Sequence, residues 1–128
     1  MQNDQVNPND FFGGDTVSSG DPTSTETVFS LMRDELESLI IEANNDDKNA
    51  AFRLYQFYEF SVRDEKEADK WILSAAELGH KTAQYNLSKK FYQSQLYFDS
   101  LPWCNKAIQN GHSEAQELLR QIQKNLKL

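Results

Sequence analysis

Two stretches of the chain, AELGHKTAQ at 76–84 and IQNGHSEAQ at 108–116, carry the same Gly-His and Ala-Gln steps thirty-two residues apart. The agreement runs wider than the two stretches. Trp71, Ala75, Gly79, His80, Ala83, Gln84 and Leu87 align with Trp103, Ala107, Gly111, His112, Ala115, Gln116 and Leu119. The same shift reaches backward, placing Ala43 before Ala75 and Ala51 before Ala83. A period of roughly 20–50 residues marks stacked units, none of which can hide its apolar face alone. Each repeated residue has a physical task. The glycine takes the left-handed conformation that ends a helix without a Cβ penalty. Alanines on either side of that corner let two antiparallel helices approach, and Trp and Leu fill the remaining space. The expected fold is all-α, a short right-handed solenoid of antiparallel helical hairpins with about six helices.

The hydropathy pattern places those helices. Ser24 or Thr25 reads as a cap, and Val28, Leu31, Met32, Leu36, Leu39, Ile40 and Ala43 follow helical spacing. A second helix is expected from Asp47 to Phe60, with Ala51, Leu54, Tyr55 and Tyr58 inward. A third spans 65–78 after an Asp64 cap, with Ala68, Trp71, Ile72, Ala75 and Leu78 buried. The fourth spans 81–93 around Ala83, Leu87 and Phe91. The fifth starts near Ser100, with Pro102 in its first turn, where a missing N–H costs nothing. The sixth spans 113–126, capped by Ser113, with Ala115, Leu118, Leu119 and Ile122 inward. Residues 1–25 are rich in Asn, Asp, Ser, Thr, Gly and Pro and read as a flexible acidic tail. Phe11 and Phe12 stand out within it. The helical domain is expected over 26–128.

The run ADKWILSAAELGHKTAQYNL (68–87) resembles the Sel-like repeats of the tetratricopeptide superfamily, and LPWCNKAIQNGHSEAQELL (101–119) is a looser second copy. NAAFRLYQFYEF (49–60) is similar to the first helix of such a unit. The loops EFSVRD and QLYFDS depart from the family's usual Gly-Val step. The resemblance implies a protein-binding scaffold that recognises its partner on the groove lined by first helices. On this chain that groove is expected at Asp47, Phe52, Gln56, Glu59, Tyr85, Ser88 and Tyr92. Of Phe52, Tyr55, Phe57, Tyr58 and Phe60, about two are expected to face outward on helical geometry, as interface anchors.

Composition narrows the function. The 128 residues suffice for one domain. The first 21 hold no Lys or Arg and no long apolar run, so no secretory signal is read, and a cytoplasmic location is expected. Cys104 is the only cysteine, which excludes an internal disulfide. The net charge of −7 is uneven, with four Asp and no base in 1–25 and an excess of bases after residue 80. General nucleic-acid binding needs a dominant basic stripe, which is missing. His80 and His112 sit one repeat apart. Stacked helices are roughly 8–10 Å apart, whereas zinc ligands lie about 2.3 Å or less from the metal, so no metal site is expected. Cys104 reads as a small buried hydrophobe. The carboxylates of 34–37 and 64–69 are expected to fan around helix starts as a solvated acidic face, and no phosphate loop or nucleophile elbow occurs.

No catalytic residue, cofactor, metal, nucleic acid or membrane is therefore expected. The partner is expected to be a protein, and the free chain a monomer. Two roles fit. One is an immunity protein that covers a basic toxin domain with acids such as Asp34, Glu37, Glu42, Asp46, Asp47 and Glu59. The other is an adaptor or regulatory scaffold for a cellular complex.

Overall fold

The computed structural model describes residues 22–127, with side chains from Met32 onward. The segment containing Phe11 and Phe12, and the side chains of Val28 and Leu31, lie outside the described residues. Six α-helices follow one another: α1 (Pro22–Asn44), α2 (Lys48–Gln56), α3 (Glu65–Glu77), α4 (Lys81–Gln93), α5 (Tyr97–Gln109) and α6 (Ala115–Leu126). A π-helical segment, Phe57–Val62, continues α2. The described residues contain no strand. Each helix packs chiefly on its neighbours in sequence, and α4 also touches α6. The chain is all-α, as its repeats required.

The corners carry the regularity. Left-handed residues stand at Asp46, Arg63, Gly79, Gln95, Gly111 and Lys127, separated by 17, 16, 16, 16 and 16 residues. At four of them the helix ends with the same pair of bonds, with Leu96 N–H donating to the Phe91 carbonyl and Gln95 N–H to Tyr92 in one case. His80 N–H donates to the Ala75 carbonyl and Gly79 N–H to Ala76. His112 donates to Ala107 and Gly111 to Ile108, while Asp47 donates to Glu42 and Asp46 to Ala43. This Schellman pairing satisfies carbonyls that a helix end would otherwise strand. Only two of the six corners use glycine.

The one long interval contains the π-helix. The corner bond there spans six residues, from Asp64 N–H to the Tyr58 carbonyl at 2.9 Å, where its equivalents span five. One extra residue has been taken up by a widened turn. The expected uninterrupted helix to Phe60 is corrected accordingly, and so is the backward extension of the repeat. Counted from the corners, Asp46 matches Gly79 at an offset of 33, so Ala43 corresponds to Ala76 and Ala50 to Ala83. All four of these alanines are buried.

Three helix starts also differ from expectation. α1 begins at Pro22, ahead of Ser24 and Thr25, because proline's absent N–H has no partner to lose at a first helical position. α5 begins at Tyr97, which packs on the core, so Pro102 lies inside the helix rather than in its first turn. The carbonyl it leaves unbonded belongs to Phe98, which is 76% exposed. α6 begins at Ala115 with no side-chain cap from Ser113, since Ser113 and Glu114 form a turn. The α3 and α4 boundaries agree, and Asp64 accepts from Glu67 N–H at 3.2 Å as a cap should.

The core divides in two. The larger cluster joins α1 to α4 around Leu36, Leu54, Tyr58, Trp71, Ile72 and Ala75. The smaller one joins α5 and α6 around Cys104, Ala107, Ala115, Leu118 and Ile122. Cys104 is fully buried, and its thiol donates to the Ala115 carbonyl at 3.2 Å. Burial pushes that thiol above its ordinary pKa, which suits an inert packing role.

Candidate functional site

The even-numbered helices α2, α4 and α6 present the face on which partner recognition was expected. Side chains cross from each to the next. The Phe52 ring stacks on His80 with centroids 4.1 Å apart, and Tyr85 stacks on His112 at 4.2 Å. Lys90 of α4 bridges Glu59 at 3.4 Å and Asp69 at 2.9 Å. Burial pulls the Lys90 ammonium down, but Asp69 and Glu59 outweigh it and hold the group above its ordinary pKa. Asn125 of α6 donates to the Tyr92 hydroxyl at 3.2 Å.

Most of the expected binding residues are thus mortar between repeats. Phe52, Glu59, Tyr85 and Tyr92 are half-buried and hold neighbouring units together. Ser88 is corrected outright: it is fully buried, and its hydroxyl donates to the Ser100 carbonyl at 2.8 Å. Asp47 caps α2, accepting from the N–H groups of Asn49 and Ala50. Gln56 is exposed. Of the five clustered aromatics, Tyr55 and Tyr58 are buried, Phe52 and Phe57 are half-buried, and Phe60 alone is exposed. Tyr85 and Tyr92 also line a shallow groove between α4 and α6, with Lys89, Glu117 and Gln121.

The Gly-His and Ala-Gln steps acquire definite tasks. His80 follows the left-handed glycine and sits at the N-cap of α4, where its Nδ1 accepts from Ala83 N–H at 3.2 Å. His112 Nδ1 accepts from Glu114 N–H at 3.3 Å in the equivalent corner. Gln84 is buried and ties two corners: it donates to the Ala76 carbonyl at 3.0 Å and accepts from Asn110 at 2.8 Å. Gln116, its counterpart in the last unit, is exposed. Among the described residues no group of His, Cys, Asp and Glu is placed to hold a metal ion.

Both imidazoles must be neutral at Nδ1 to accept these bonds. Burial lowers the pKa of each; Lys48 adds to the effect at His80, while at His112 Glu114 opposes it and Lys81 adds to it. A folded-state pKa below the unfolded one gives stability that is present above the unfolded value and lost as pH falls through the folded one. Stability is therefore expected to decline as pH drops below the ordinary value of 6.5. The cap lost at His80 is worth about 0.5–2 kcal/mol. Urea titrations between pH 7.5 and 5 measure the decline. A His80→Asn/His112→Asn double variant, which keeps cap acceptors without titration, should show a shallower slope.

No family model matches the chain, and no solved structure matches it. It is similar to a curated protein of Escherichia coli strain K12 described as "Uncharacterized protein YibG". The two are 28% identical over 108 residues, covering 79% of this chain and 71% of the relative.

Proposed function

We propose that the chain is a protein-binding helical array of the Sel-like, tetratricopeptide-like kind, without catalysis, that neutralises a basic bacterial toxin by covering it. The observation that supports this reading is the division of charge along the array. Residues 32–79 carry 12 acids and 6 bases, whereas residues 80–127 carry 3 acids and 7 bases. Asp34, Glu37, Glu42 and Asp46 are all exposed on α1 and its corner. A basic partner is steered to such a surface and held in register by it.

The test is co-expression with the product of the neighbouring gene. A 1:1 complex is expected by size-exclusion chromatography with light scattering. Asp47 and Glu59 are poor probes, since one caps a helix and the other pairs with Lys90. Asp34→Lys with Glu37→Lys is the cleaner choice. It should weaken binding by about tenfold or more at low salt and flatten the salt dependence. A complex indifferent to these reversals contradicts the electrostatic reading, and binding that leaves the partner toxic moves the chain to the adaptor role.

A further inference from the structure

We draw no further inference here: the strongest candidate, the apolar groove between α1 and the π-helix lined by Met32, Leu36 and Phe60, has as its one lining carboxylate Glu35, already bonded to Arg53, and nothing in the structure shows what covers it.

Discussion

Replacing Trp71 by alanine is expected to cost about 3–5 kcal/mol of stability, while Trp103→Ala costs about 1–2 kcal/mol, the range of an ordinary substitution. The two residues occupy the same place in the repeat, so sequence alone predicts equal effects. Their surroundings differ. Trp71 is 4% exposed, and its indole N–H donates to Glu67 at 3.2 Å. Glu67 is itself buried, with the Lys70 ammonium 3.9 Å from its carboxylate and 4.7 Å from the Trp71 ring centre. Removing the indole opens a cavity and also takes a donor from a buried carboxylate. Trp103 is only partly buried, and the residue matching Glu67 is Asp99, which is exposed. Urea denaturation followed by circular dichroism distinguishes the two variants. Equal losses would mean that the two indoles sit in like environments, contrary to the structure.

The second large effect is expected to be local. Ile122→Ala removes a fully buried side chain from the smaller core cluster, at about 2–5 kcal/mol. In a linear array each unit leans only on its neighbours, so a defect at one end need not spread. Hydrogen exchange should show lost protection in α5 and α6, with α2 and α3 retaining theirs. Ile72→Ala, in the larger cluster joining α1 to α4, should lower protection throughout those helices instead. Uniform loss of protection along the chain in Ile122→Ala would show that the two clusters unfold as one.

The parts of the fold visible in the sequence were those set by local chemistry. Gly79 and Gly111 mark corners because they alone take a positive φ freely, and Asp64 marks a helix start because its carboxylate reaches a backbone N–H. The corners at Arg63, Gln95 and Lys127 carry no such mark. Each is a non-glycine residue at positive φ. The π-helix was illegible for a related reason. A widened turn depends on what Tyr58 and Val62 must reach across the core, and nothing in FYEFSV announces it.

The partner surface was read less well than the fold. Phe52 and Tyr85 lie on faces that one helix would leave in water, and only the next helix in the array shows that each has a histidine to stack against. A usable signal was present. Phe52 and Tyr85 each lie five residues after the cap of their own helix, Asp47 and His80, and each meets a histidine that follows a left-handed glycine.

The even pacing of the corners bears on how such a chain can grow. Because each corner repeats at the same interval and no helix has a unique role in the interior, duplicating any thirty-two consecutive residues of the latter half returns the polypeptide to the same phase of its pattern. No preferred starting point is needed. The segment containing the π-turn shows that the scheme forgives a miscount of one, since a single surplus residue is absorbed within a helix and every later corner keeps its place.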